Sequence, residues 1–271
     1  MKLRPSRILR ELRAGQNSTV LKMNLIDPRV VELAGLAGAS AVWLCNEHVP
    51  NDWLNLEHQI RAAKLYDMDT IVRVSKGSYS DYVKPFECDA TGIMVPHITS
   101  ADEARNVVEM VRCHPVGKKP LDSGNMDGFF CQVSLSDYVS HCNTEKFVIL
   151  QIESPEALEN VEEIAAVPGF DLLLFGAGDF SHRIGRLGQV THPDVVAARK
   201  RVHAAAVKHG KFVAVASLFG QKDQLIAEGT RVFTLGADVL ELGNAFRKLI
   251  SDFAGDDTRA RASSIYASPR S

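Results

Sequence analysis

Four polar positions or clusters in this sequence combine residue types that can do chemistry: Asn46-Glu47-His48, Arg73, Gln151-Ile152-Glu153, and Gly176-Ala177-Gly178-Asp179. Each stands at or just beyond the end of a short aliphatic run. Carboxylates, a guanidinium and an imidazole together suit metal-assisted chemistry on an anionic keto acid. Glu153 closes the run Phe147-Val-Ile-Leu-Gln-Ile, where a carboxylate is costly to desolvate without a cation or hydrogen-bond donors. A metal ligand is one reading; a cap on the helix that opens at Pro155 is the other. Asp179 follows a glycine turn and is either a second oxygen ligand or a helix N-cap. Two oxygen ligands with positions left for water and substrate suit Mg²⁺ or Mn²⁺, and also admit Co²⁺ or Zn²⁺.

Arg73 ends an apolar strand, and its planar fork can hold a carboxylate or keto oxygen; a buried ion pair is the structural alternative. The imidazole of His48 is of the kind that can pass a proton directly or through water. Of the nine histidines, His58, His203 and His209 sit in helical patterns and read as surface positions, while His97, His182 and His192 fall on loops and remain secondary contributors. Gly176 and Gly178 would let backbone N–H groups approach an anion, although a G-x-G by itself is a weak signal.

These clusters converge only if the elements between them bring them to one place. Eight β-branched or aliphatic runs recur along the chain: 19–23, 41–45, 70–74, 92–95, 147–152, 171–175, 212–216 and 231–235. Several are apolar at consecutive positions, as in strands buried on both faces. Helical patterns fit between them. Asp27-Pro28 opens one over 27–36, Ser100-Ala-Asp-Glu103 has capping-box spacing, and 193–209 and 237–253 read as the last long helices. Eight strand–helix units in about 250 residues predict a single (β/α)8 TIM barrel over residues 1–253, with a polar tail over 254–271 expected to be disordered. In such a barrel, residues at strand C-termini meet at one mouth. Two Gly-rich interruptions, 114–132 and 176–192, are read as following strands and therefore as lids or substrate walls.

Composition narrows the function classes. The 271 residues carry Lys+Arg 31 against Asp+Glu 33, a net charge of −2 that gives no electrostatic reason to expect nucleic acid or an anionic membrane as partner. No apolar run approaches the roughly 18 residues of a membrane span, and the start Met1-Lys2-Leu3-Arg4-Pro5 lacks a secretory apolar stretch, so a cytoplasmic protein is expected. Five scattered cysteines without a C-x-x-C pair indicate reduced thiols rather than disulfides or a zinc site.

The ordered set Trp43-Leu-Cys-Asn-Glu-His-Val-Pro-Asn51, Ile71-Val-Arg-Val74, Ile93-Met-Val-Pro96, Ala101-Asp-Glu-Ala-Arg105, Leu150-Gln-Ile-Glu153 and Phe175-Gly-Ala-Gly-Asp-Phe-Ser181, followed by His192-Pro193, resembles the HpcH/HpaI aldolase family from about Thr19 to Phe253. The family includes metal-dependent pyruvate aldolases such as 4-hydroxy-2-oxoheptanedioate aldolase. The resemblance implies a barrel of the phosphoenolpyruvate/pyruvate type, a hexamer exchanging its last helix, a divalent metal held by Glu153 and Asp179, pyruvate oriented by Arg73, and acid/base work by His48. It also implies that the backbone at Gly178 and Asp179 receives the pyruvate carboxylate, with Gln151 beside it, and that Glu87 is an acidic residue presented across a subunit interface.

The sequence departs from the family pattern at three places. Cys45 stands where relatives carry an Asp that orients the histidine, Lys119 where aldolases often have Arg, and Ala177 where Pro is common in the glycine turn. The implied reaction is cleavage of a 4-hydroxy-2-oxo acid to pyruvate and an aldehyde through a metal-stabilised pyruvate enolate. The competing readings are another metal-enolate carbon–carbon lyase or oxaloacetate decarboxylase, a non-catalytic metabolite-binding barrel, and a Schiff-base aldolase using Lys22 or Lys76, neither of which stands in a polar cluster of the sequence.

Overall fold

The computed structural model describes residues 2–216 and 220–254. Eight parallel strands close into one barrel in sequence order: β1 (Ser18–Met23), β2 (Ala41–Cys45), β3 (Asp69–Arg73), β4 (Gly92–Val95), β5 (Phe147–Ile152), β6 (Leu172–Phe175), β7 (Phe212–Ala216) and β8 (Thr230–Ala237). β8 returns to pair with β1 in parallel, which leaves no sheet edge. All eight predicted runs are strands. The expected tail lies outside the described residues except for Ala254, which closes the last helix, Asp238–Ala254.

Strand alternation divides the core in two. Ala41, Trp43, Ile71, Met94, Phe147, Ile149, Leu172, Leu174, Ala214 and Val232 fill the barrel interior. Their neighbours Val42, Leu44, Val72, Ile93, Val95, Val148, Leu150 and Leu173 point outward against the helices. Every residue of β2 to β6 is buried, which explains why those runs lack polar alternation.

A helix over Arg7–Arg13, absent from the sequence reading, supplies Ile8, Leu9 and Leu12 to the interior cluster and plugs the end at which the strands begin. Asp69 at the start of β3 anchors it: its carboxylate accepts from Ser6 Oγ at 2.6 Å, from the Ile8 amide at 2.8 Å and from Arg4 at 2.6 Å. The predicted caps at Asp27 and Ser100 form, accepting from Arg29 N and Glu103 N. Glu103 closes its arm of the box on the Thr99 amide rather than on Ser100.

The two interruptions differ from each other. Residues 176–192 follow β6, as expected, and contain the helix Ala177–Arg183 at the mouth. Residues 114–132 follow the helix Ala101–Val111, not a strand. That segment runs beside the helices Tyr79–Glu87 and Ala101–Val111, and its Phe129 lies with Arg4, Thr91 and Lys146 at the plugged end. It therefore neither caps nor walls the mouth of its own barrel, contrary to the sequence reading. Lys119 within it is buried and donates to Tyr138 Oη at 2.9 Å, and that hydroxyl donates to Asp127 at 2.7 Å.

Candidate active site

Above the apolar layers the same strand parity continues with polar side chains. Two residues on from Val20, Trp43, Ile71 and Ile149 stand Lys22, Cys45, Arg73 and Gln151, and Glu47 and Glu153 extend the second and fifth strands by one further step. The barrel thus changes from a dry core to a charged mouth within one turn of alternation.

Glu47 is the centre of this layer. Its Oε2 lies 3.0 Å from Arg73 Nε and 3.6 Å from His48 Nε2, while Oε1 lies 3.1 Å from His97 Nε2. His97 Nδ1 in turn stands 2.6 Å from Glu153 Oε1, and the His97 amide donates to the same oxygen at 2.9 Å. Arg73, with only 6% of its side chain exposed, places its guanidinium carbon 4.9 Å from the Trp43 ring centroid and donates from Nη2 to Cys45 Sγ at 3.2 Å.

Glu153 is 2% exposed and accepts from Gln151 Nε2 on its other oxygen. Burial pushes its carboxyl above the usual carboxylate range. The charge of His97 and its amide bond oppose that shift, and the negative charges of Asp179 and Glu47 add to it. Asp179 is in the first turn of Ala177–Arg183, exposed at the mouth. Gly176 makes the approach of the two loops possible: a Cβ there would lie 2.6 Å from Glu153 Cβ and 2.7 Å from Glu153 Oε2. The first intrahelical bond runs from Phe180 N to Gly176 O, so the amides of Ala177, Gly178 and Asp179 have no intrahelical acceptor.

These donors fit a divalent cation in chemical kind. Three carboxylates, Glu47, Glu153 and Asp179, crowd one mouth, one of them buried, and such charges are stable together only with cations among them. Gln151 Oε1 is buried without a hydrogen-bond partner among the described residues, a further hard oxygen at the same place. As the side chains stand, no group of three or more His, Cys, Asp or Glu among the described residues is in metal-holding geometry. A cation here would therefore take few protein ligands and several waters, the habit of Mg²⁺ and Mn²⁺ rather than of a closed Zn²⁺ site.

The structure brings together Arg73, Gln151, Glu153, Gly178, Asp179 and His48, though His48 is 65% exposed at the rim. Cys45 Sγ accepts from the His48 amide at 3.4 Å and from Arg73, so the thiol steadies the arginine while Glu47 stands beside the imidazole. Glu87 is at the C-terminal end of Tyr79–Glu87, a helix antiparallel to the strands, and so lies toward the plugged end. Lys119 is likewise remote from the mouth of its own chain.

His203 is a correction: it is 1% exposed, not a surface residue, and lies 3.6 Å from Glu228. His192 caps the helix Pro193–Lys208, accepting from Asp194 N at 3.3 Å. Lys76 donates to Glu103 at 2.6 Å and to the His97 carbonyl at 2.8 Å. Lys22, by contrast with the sequence reading, does stand within the polar layer. Glu47, read from the sequence only as a member of the 46–48 cluster, and His97, read only as a secondary contributor, turn out to link the site together. Parity could have found Glu47, two positions beyond Cys45. It could not find His97, whose left-handed backbone (φ +57°) turns the ring out of strand alternation.

A closed eight-stranded parallel barrel with carboxylates, an arginine and a histidine at its strand C-termini defines a barrel enzyme with an acid-lined mouth. Residues 19–245 match the HpcH/HpaI aldolase/citrate lyase family, and the chain belongs to that family as a carbon–carbon lyase of aldolase type. It is 30% identical over 268 residues to a hydroxypyruvate/pyruvate aldolase of Pseudomonas aeruginosa, covering 97% of this chain and 98% of that one. It is also 30% identical to a 5-keto-4-deoxy-D-glucarate aldolase of Klebsiella pneumoniae, over 84% of this chain and 89% of that one. Among solved structures, an HpcH/HpaI aldolase/citrate lyase family protein from Burkholderia cenocepacia superposes with a TM-score of 0.84 at 28% identity, covering 92% of this chain and 99% of that chain.

Proposed function

We propose that the chain is a divalent-metal-dependent aldolase that cleaves a 4-hydroxy-2-oxo acid to pyruvate and an aldehyde, reversibly. The observation that carries this reading is the convergence of Arg73, Glu153 and Asp179 on one mouth, joined through Glu47 to His48, in a chain of aldolase kinship. Glu153 and Asp179 are the metal ligands, and Mg²⁺ or Mn²⁺ suits them best, with Co²⁺ or Zn²⁺ as substitutes. A bound cation would supply Lewis acidity toward the carboxylate and keto oxygens of the 2-oxo acid.

The protein's own groups do the rest. Arg73, stacked on Trp43 and fixed by Glu47 and Cys45, presents its positive charge to the keto oxygen and stabilises the charge that develops there as the C3–C4 bond breaks. His48 takes the proton of the C4 hydroxyl in cleavage and returns it in addition; Glu47 supports the imidazolium that forms. The amides at Gly178 and Asp179 receive the substrate carboxylate, and Gln151 holds Glu153 in place.

The assembly we infer is a hexamer in which the last helix, Asp238–Ala254, is exchanged between subunits. No residue of that helix is buried in the isolated chain, and Leu242, Phe246, Leu249, Ile250 and Phe253 form an exposed apolar stripe. In that assembly Glu87 serves the neighbouring subunit's site. No described helix is long and apolar enough to cross a membrane, which suits the cytoplasmic placement we infer.

The reading is tested by stripping the protein with chelator and following two signals: exchange of pyruvate methyl protons in D₂O, and pyruvate release from 4-hydroxy-2-oxo acids. Both should vanish and return with Mg²⁺ or Mn²⁺. Exchange that persists in the metal-free protein contradicts the proposal.

A further inference from the structure

Away from the mouth, the helix Leu135–Thr144 is held to the rest of the molecule by few side chains. Of its ten residues only Tyr138 and Cys142 are buried, and with Cys113 they form a small cluster distinct from both layers of the core. Cys113 stands one residue past Arg112, which caps the helix Ala101–Val111. Hydrogen bonds on either side of the cysteines fasten the two segments there. The Cys113 amide donates to Asn143 Oδ1 at 2.9 Å, Asn143 Nδ2 returns a bond to the Cys113 carbonyl at 3.2 Å, and Arg112 Nη1 donates to the Cys142 carbonyl at 3.1 Å.

Both thiols are free and enclosed, Cys113 at 0% and Cys142 at 4% exposure. The thiol of Cys142 donates a hydrogen bond to the Cys113 sulfur. That bond holds the Cys113 thiol below its usual range; burial opposes the shift, the charges of Lys119 and Arg112 add to it, and Asp127 works against it. The same bond, and next burial, push the Cys142 thiol up. A sulfur that gives up its proton readily thus sits against one that keeps it, the division between attacking and resolving thiols. Among the described residues Cys45 sits against Arg73 instead, and Cys131 is exposed, with Ser123 Oγ 3.7 Å from its sulfur.

We propose that Cys113 and Cys142 are a redox modification site, a dithiol that a peroxide converts to a disulfide, latching the helix Leu135–Thr144 to the end of Ala101–Val111. The Cys113 thiolate attacks one oxygen of hydrogen peroxide and breaks the O–O bond, giving a sulfenic acid and hydroxide, which takes up the proton that the thiol released. The Cys142 thiol then attacks the sulfenic sulfur, and its proton leaves with the sulfenic hydroxyl as water. Two thiols and one peroxide become one disulfide and two waters. Access comes from the helix itself, because an element with two buried side chains opens locally for little free energy. The inference does not depend on the aldolase reading.

The experiment treats the full chain with hydrogen peroxide, blocks the remaining thiols with iodoacetamide under denaturing conditions, and maps the peptides by mass before and after dithiothreitol. The expected result is a peptide pair joining Cys113 to Cys142 that separates on reduction. Amide hydrogen exchange across 135–144 should slow by about tenfold or more in the oxidised protein, as expected when a cross-link restricts the open state. Cys142→Ser should leave Cys113 as a sulfenic acid that dimedone labels, whereas Cys113→Ser should leave Cys142 unlabelled. Alkylation of both thiols after peroxide, or oxidation confined to Cys131, overturns the proposal, and this mapping needs only the wild type should a variant fail to fold. A cross-link that leaves exchange across 135–144 unchanged also overturns it, since the new bond would then latch nothing.

Discussion

Glu47 and Cys45 divide the work that a single carboxylate beside the histidine would do. The thiol is a weak acceptor and is placed against Arg73, so the carboxylate that stands beside the His48 imidazole, at 3.6 Å, is that of Glu47. Glu47→Gln should lower kcat/KM for cleavage by about 10²-fold, the scale of a disturbed general base, while bound metal stays near the wild-type level. Steady-state kinetics with metal analysis on the same sample checks this, and an unchanged kcat/KM would remove Glu47 from the account. Gly176→Ala should act differently. Its Cβ would collide with Glu153 Cβ at 2.6 Å, so the variant should fold yet bind Mn²⁺ at least about tenfold more weakly, as when a ligand's support is lost. At this scale the sequence was legible wherever strand parity applied: Arg73, Gln151 and Glu153 each sit two or four positions beyond an interior residue. It placed His97 only on a loop, as a secondary contributor, because a left-handed backbone turns that ring out of the parity that locates Arg73, Gln151 and Glu153.

Among the elements, the strands declared themselves because residues buried on both faces leave uninterrupted aliphatic runs. The plug Arg7–Arg13 did not, since seven residues span too few turns to show a period and Asp69, its anchor, is distant in sequence. Nor did the place of 114–132, because glycine content marks a loop without saying at which end of the barrel it lies. His203 in Pro193–Lys208 is a similar case. A helix facing both the barrel and its neighbours buries part of its polar sequence too. Burial and the nearby Arg199 depress its imidazole to about 4, with Glu228 opposing. Its protonation is therefore favoured in the unfolded chain, near pH 6.5, before it occurs in the fold. Stability should be full above about pH 6.5 and fall as pH drops toward 4, by up to roughly 3 kcal/mol from this group. Urea melts across that window should show a shallower fall in His203→Gln; parallel pH profiles would contradict the assignment.

For the whole molecule, the barrel is complete within one chain but its last helix is not satisfied there. The stripe on Asp238–Ala254 exposes Phe246 at 58% and Phe253 at 95%, more apolar surface than a solitary helix leaves in water without a partner. Phe246→Glu should shift the sedimentation profile from a hexamer toward smaller species, and a wild-type chain that sediments as a monomer would oppose the exchanged-helix assembly. The account as a whole stands on one cation held by Glu153 and Asp179. The most direct measurement is a Mn²⁺ titration followed by electron paramagnetic resonance, on the wild type, Glu153→Gln and Asp179→Asn, with pyruvate methyl exchange recorded on the same samples. The account predicts one tight site per chain in the wild type, binding weakened by about 10- to 100-fold or more in each variant, and exchange lost with it. Either variant binding Mn²⁺ like the wild type while still exchanging pyruvate protons would contradict it.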